Sequence, residues 1–300
     1  NQSETAVVYQ KQFTSGDFTP AVAQSGAFLV LDDDRSATEL GKLRLTAVHL
    51  AAGSPRLLSL AYPSRESLLH EITLEQPYGT VDIDAHIYSL TLVDAASPTL
   101  DVVARLGDVS LYASMLYTAI IVPDMQPVSG ANNLPAVQAA APTPRAFLIG
   151  APLDPPPDGV RLRLIHAAPN TAVLDIYVDG RLVAERVNYS RVTDYLGLKA
   201  YSHVITLRAV GTTVDDPPLA QAEFNITAEN RQQTHWSLVL LNAAGADTSA
   251  ALPVTEPGSS EPQTIINTPG GSLFMVLLPD NIAQTRRGYA RVRLINAVNN

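Results

Sequence analysis

The sequence predicts an all-β chain of tandem β-sandwich domains joined by Pro-rich linkers, and three observations carry that expectation. Apolar and polar residues alternate over short runs in segment after segment, which is the two-residue period of a half-buried strand. Pro (22) and Gly (17) punctuate the intervals between those runs. One half of the chain can also be laid over the other, so the pattern is a repeated unit.

The clearest unit is residues 160–180, VRLRLIHAAPNTAVLDIYVDG. Val160, Leu162 and Leu164 share one face and Arg161 and Arg163 the other; Leu174, Ile176 and Val178 then repeat the alternation against Asp175, Tyr177 and Asp179. Asp179-Gly180 supplies residues that tolerate positive φ, so a tight two-residue hairpin turn is expected there, with Leu182 and Val183 resuming the apolar run.

Sliding residues 43–93 by 117 positions lays LRLTAVH on VRLRLIH, His49 on His166, Tyr78 on Tyr195 and His86 on His203, with the hydrophobic phase largely kept. A further shift of two aligns YTAIIV (117–122) with WSLVLL (236–241). On this register Leu58, Leu60 and Tyr62 stand where Asp175, Tyr177 and Asp179 stand in the second copy. Lead-in runs before the first strands repeat as well, at 27–45, 146–164 and 274–294.

The expected division is an N-terminal segment 1–26, a first β-sandwich 27–123, a linker 124–145, a second β-sandwich 146–242, a linker 243–272 and the start of a third repeat at 273–300. Within the terminal pieces, Thr5, Val7 and Tyr9 lie in a strand like the closing strands, while Arg291, Arg293 and Ile295 lie in one like the opening strands. Both are expected to expose unpaired edges suited to strand addition by a protein partner or by another copy of the chain.

Composition narrows the function. A chain that is 46% hydrophobic and 16% charged can bury a core. A net charge of −9 opposes the phosphate backbone of nucleic acid, so no nucleic-acid partner is expected. The apolar runs AFLVL, MLYTAIIV and SLFMVLL are strand-sized, well below the roughly 18 residues of a spanning helix, so membrane insertion is not expected. Absence of Cys removes disulfides, thiolate nucleophiles and Cys-ligated metals. A start at Asn1 without an apolar leader fits a mature secreted product or a trimmed chain. Sequons at Asn1, Asn188 and Asn225 are glycan acceptors only in a host that glycosylates them.

No catalytic or cofactor-binding residue emerges, and a non-enzymatic protein without cofactor is expected. His70-Glu71 starts like a zinc-protease motif, but Leu74 stands where the second His is required; Gly41-Lys42 lacks the upstream Gly of a phosphate loop. The metal candidates are His166 and His203, which extend inward-facing strands and could join Asp175, and Asp32, Asp33 and Asp34, which with Asp82 and Asp84 offer oxygens to calcium. The competing reading makes the histidines corner residues bonded to loop backbone, and the aspartates solvated. Tyr177, Tyr189, Tyr195, Tyr201 and Trp236 could form an aromatic platform for surface glycans or could serve as core and corner residues.

The stretch 160–180 resembles a domain-of-unknown-function family of immunoglobulin-like repeats in bacterial and archaeal surface proteins, with a signature close to Arg-Val-x-His-Ala-x-Pro-Asp-Ala-Pro-x-Val-Asp-Val-Tyr-Val-Asp-Gly. The matching positions are Arg163, His166, Ala167, Pro169, Asp175, Tyr177, Asp179 and Gly180, with Tyr195 and Leu198 resembling a later Tyr-x-x-Leu element. Asn170 replaces a signature Asp, and Tyr201 falls where a Gly is expected. Residues 160–242 carry the resemblance and residues 43–122 a degenerate version. The resemblance implies immunoglobulin-like sandwiches, an extracellular or cell-surface setting and a structural or adhesive role. Assembly into a filament or surface layer through the terminal strands is the first alternative; a carbohydrate- or calcium-binding module is the second.

Overall fold

The computed structural model describes residues 3–10, 26–51, 54–123, 143–199, 201–213, 215–224, 235–242, 265–267 and 273–280. Among them the regular elements are all strands, and no helix is long and apolar enough to cross a membrane. The chain is all-β.

Strands β1 (Ser3–Gln10) and β2 (Gly26–Asp33) form an antiparallel pair. The first module follows with β3 (Lys42–His49), β4 (Leu57–Ala61), β5 (Ser67–Thr73), β6 (Val81–Asp84), β7 (His86–Asp94), β8 (Val102–Leu111), β9 (Met115–Pro123) and β10 (Pro144–Pro152). Its two sheets run β10-β9-β3-β6 and β5-β4-β7-β8. The second module contains β11 (Val160–His166), β12 (Leu174–Val178), β13 (Arg181–Val187), β14 (Leu196–Leu198), β15 (His203–Ala209), β16 (Ala220–Phe224), β17 (His235–Asn242), β18 (Ile265–Asn267) and β19 (Leu273–Pro279). Its sheets run β14-β11-β17-β19-β18 and β13-β12-β15-β16, the same order with β18 added at one edge.

Each module closes two sheets over one core, as expected of a β-sandwich. Leu43 and Leu45 of β3 meet Leu58 and Leu60 of β4 and Leu90 and Leu92 of β7 in the first; Leu162 and Leu164 of β11 meet Leu174, Ile176 and Leu207 in the second. These are the alternating positions, so the strand period decides which side chains leave water. The strand order departs from an immunoglobulin domain, where the third strand crosses to the sheet of the closing strands. Here the third strand (β5, β13) stays beside the second, and the closing strand (β9, β17) pairs in parallel with the first.

Three further corrections follow from the pairing. Each lead-in run belongs with the closing strand before it: β2 pairs with β1, β10 with β9 and β19 with β17, all antiparallel. Residues 146–152 and 273–279 therefore complete the preceding sheet instead of opening the next module. Residues 26–33 lie outside both first-module sheets, and Leu29 and Leu31 cover the outer face formed by Val48, Leu50, Ile120 and Val122. Contiguity in sequence made the lead-ins look like openings; the free edge of a closing strand is what captures them. One edge of the strand bearing Thr5, Val7 and Tyr9 is likewise taken, by Leu31, Leu29 and Ala27 in turn. Arg291, Arg293 and Ile295, and most of both expected linkers, lie outside the described residues.

The repeat register also changes along the module. Leu43 and Val160 occupy one position 117 apart, but Leu58 corresponds to Leu174, Leu92 to Leu207 and Ile120 to Val239. Small length differences in the turns accumulate, which a single slide cannot absorb.

Candidate functional site

The β12–β13 hairpin turns at Asp179 (φ 49°) and Gly180 (φ 76°), the two positive-φ residues of a type I′ connection between the paired residues Val178 and Arg181. Farther along, β13 bulges at Arg186 (φ 54°), and the Asp175 carboxylate accepts the Arg186 N–H at 2.9 Å. Asp175 is buried, which pushes its pKa up; the Arg186 N–H opposes that. The first module solves the same bulge with Ser59, whose hydroxyl accepts the N–H of Glu71 (φ 52°) at 3.1 Å.

This hairpin is the face on which the first module docks. The Ala113 N–H donates to the Val183 carbonyl at 3.0 Å, the Ile87 N–H donates to the Glu185 carboxylate at 3.0 Å, and His86 Nδ1 lies 2.8 Å from the same carboxylate. Ala85 and Ala113, both from first-module turns, are buried in the core of the second. Gly41 (φ 84°) allows this approach, since a Cβ there would lie 3.2 Å from Arg181 Cβ and from the Leu182 carbonyl oxygen.

Between the docked modules lies an open cleft of about 1000 Å³. The second module contributes Tyr177, Asp179, Gly180, Arg181, Leu182 and Tyr201; the first contributes Glu39, Lys42, Tyr62, Asp84, His86 and Tyr88 among others. Tyr201, 49% exposed, stacks on His203 with ring centroids 4.3 Å apart and planes at 33°. His203 is buried and fixed from both ends, with Nδ1 2.7 Å from Asp179 Oδ2 and Nε2 2.8 Å from the Lys199 carbonyl oxygen. Opposite, the Tyr62 ring lies 6.0 Å from that of Tyr88. Burial pushes the Tyr88 phenol up to about 12, so it stays protonated and donates to the Asp84 carbonyl at 2.7 Å. Lys42 Nζ and the Asp84 carboxylate pair at 3.0 Å.

The metal candidates are placed apart. Asp179 and the Lys199 carbonyl engage His203, while Asp175 holds a backbone N–H; among the described residues no group of three or more acidic or His side chains stands ready for a metal. His166 is buried edge-on to Tyr189, with neither ring nitrogen within hydrogen-bonding geometry of a partner. Its counterpart His49 donates from Nε2 to the Pro55 carbonyl at 2.8 Å and accepts the Ala51 N–H on Nδ1 at 3.2 Å. Burial lowers the pKa of both rings, offset in part for His49 by its hydrogen bond to the Pro55 carbonyl. His86 is exposed and is not the partner of His203 in the repeat; Tyr88 is, since each bonds a carbonyl four residues back. Of the calcium candidates, Asp34 and Asp82 both hold the Arg44 guanidinium at 2.8 Å, Asp33 lies 3.8 Å from Arg35, and Asp32 is exposed on β2.

Of the five aromatic candidates, only Tyr177 and Tyr201 reach the cleft. Tyr195 donates to Asp280 at 2.8 Å, Tyr189 stands beside His166, and Trp236 packs against the second core. Tyr62 and Tyr88 were missed because nothing local marks them; docking alone carries first-module residues to the second module's hairpin.

The site is thus a junction cleft between two modules of one β-sheet topology. Residues 160–267, from the start of β11 through β18, match a family described as a domain of unknown function (DUF4397). The match covers β11 to β18 of the second module and leaves β19 and the first module outside it. No curated protein matches the chain.

Proposed function

We propose that this is a non-catalytic, extracellular structural or adhesive protein of tandem β-sandwich modules on a prokaryotic cell surface. The sandwiches share the two-sheet layering of immunoglobulin-like domains, though their strand order differs. The observation that carries the reading is the docking of the modules: Ala85 and Ala113 enter the second core, and Ala113 bonds the backbone of β13. Two modules locked in this way form a stiff arm that can present a loop surface at a fixed distance from its anchor. Labelling of intact source cells with an antibody to the second module tests the reading, together with retention of beads coated with the full chain on cell envelopes. Surface label and bead retention are expected. Label that appears only after lysis would sink it.

A second reading, assembly by strand addition, draws on β1. Strands β9 and β17 each lie between an antiparallel and a parallel neighbour, whereas β1 pairs with β2 alone among the described residues. A segment with the opening-strand sequence pattern, such as residues 291–296, would suit the remaining edge. Deleting residues 289–300 should abolish oligomers seen by light scattering; unchanged assembly would end this reading.

A further inference from the structure

We infer that the cleft between the two modules binds a neutral oligosaccharide, seated between Tyr201 of the second module and Tyr62 of the first. This rests on the adhesive reading above and gives it a ligand class.

Tyr201 is a prepared platform. Half of it is exposed, yet one ring face is backed by His203 at 4.3 Å, and His203 is clamped by Asp179 and the Lys199 carbonyl. Little side-chain entropy remains to be lost when a ligand stacks on such a ring. Tyr62 faces the same space from the other module, supported by Tyr88. A pyranose offers a face of C–H groups, which suits the electron-rich face of an aromatic ring, and a rim of hydroxyls that need polar partners. That rim would meet Lys42 and Asp84, whose charged heads lie in the cleft.

Charge points to a neutral ligand. The cleft is lined by three acids (Glu39, Asp84, Asp179) and by Lys42, Arg181 and His86, and Lys42–Asp84, His203–Asp179 and His86–Glu185 are paired at 3.0, 2.7 and 2.8 Å. With histidine counted as neutral, the three acids face only two fixed cations, Lys42 and Arg181, so no positive excess is left to recruit an anion. A volume of about 1000 Å³ lies at the upper end of small-ligand sites and leaves room for a chain of several sugar units.

The test titrates the full chain with maltotriose, cellotriose and chitotriose by calorimetry and saturation-transfer NMR, with trigalacturonate as the anionic comparison. At least one neutral trisaccharide should bind about tenfold more tightly than trigalacturonate. Tyr201→Ala and Tyr62→Ala should each weaken it about tenfold, whereas Tyr201→Phe, which keeps the ring, stays within about threefold. If Tyr62→Ala lowers the melting temperature, the half-exposed Tyr201 decides alone. The proposal is overturned if no neutral trisaccharide binds, if trigalacturonate binds more tightly, or if Tyr201→Ala changes nothing. Beads carrying Tyr201→Ala that adhere as well as the parent would sink the sugar site and spare the adhesive reading. Trisaccharide binding by a chain that labels only lysed cells would do the reverse.

Discussion

The two modules share a strand order but settle the same bulge differently, with a hydroxyl at Ser59 in the first and a buried carboxylate at Asp175 in the second. Their hairpins differ too. The first closes through a longer turn containing Tyr62 and Arg65 (φ 70°), the second through two residues, Asp179 and Gly180. The tight hairpin is the one the neighbouring module packs on. Divergence between the copies has therefore gathered where they meet, while the alternating core of each has kept its pattern. A repeated fold needs only the period of its strands, whereas a junction needs one copy shaped to receive the other.

The largest effect should come from the core. Leu58→Ala and Leu174→Ala, both fully buried and matched in the structural register, should each cost about 2–5 kcal/mol in denaturant unfolding. Comparable losses support that register; a near-neutral Leu58→Ala would return Leu58 to the Asp175 position, off the core-facing row, that the 117-residue slide gives it. At the junction, Ala113→Leu should overpack the contact and cost about 1–3 kcal/mol. Calorimetry should then resolve two transitions, because the modules no longer melt together; a single unshifted transition would argue against a tight junction.

Asp175→Ala leaves the Arg186 N–H without its acceptor, a loss of about 1–3 kcal/mol, reduced by removing a carboxylate that burial disfavours. Ser59→Ala at the counterpart bulge should cost less, about 1 kcal/mol, and Asp175→Ser should recover part of the first loss. Equal costs at the two sites would mean that the carboxylate and the hydroxyl are interchangeable.

The smallest effect is in pH. His49 and His166 have pKa values lowered by burial from an ordinary 6.5. On acidification the unfolded chain takes up these protons first. Their contribution is therefore complete above about pH 6.5 and is lost as pH falls toward the depressed folded values. Asp175 and Asp194, raised by burial, act with the opposite sign, since the folded state takes up their protons first. A melting-temperature profile should fall gently below about pH 6.5, and His49→Gln should flatten the fall; a profile that rises there would show the carboxylates dominating.

Much of the fold was legible in the residues. The faces of β11 and β12, the turn at Asp179-Gly180 and the inward histidines follow from alternation and from which residues accept positive φ. Attribution of the lead-in strands was not legible, because hydrogen-bonding partners of an edge carry no sequence mark. Nor was the pairing of Tyr88 with His203, which a change of turn length hides behind an apparent His86–His203 match.

By itself the sequence determined the strands, their buried faces, the existence of two copies and the hairpin of residues 160–180, since each depends on neighbours a few positions away. Only the tertiary structure decided that the hairpin is a docking face and that Tyr62 and Tyr201 share a cleft. Those outcomes depend on backbone edges and small residues meeting across separations that run from 70 positions (Ala113 to Val183) to 140 (Gly41 to Arg181). No local period encodes such a contact; close packing at Gly41, Ala85 and Ala113 does.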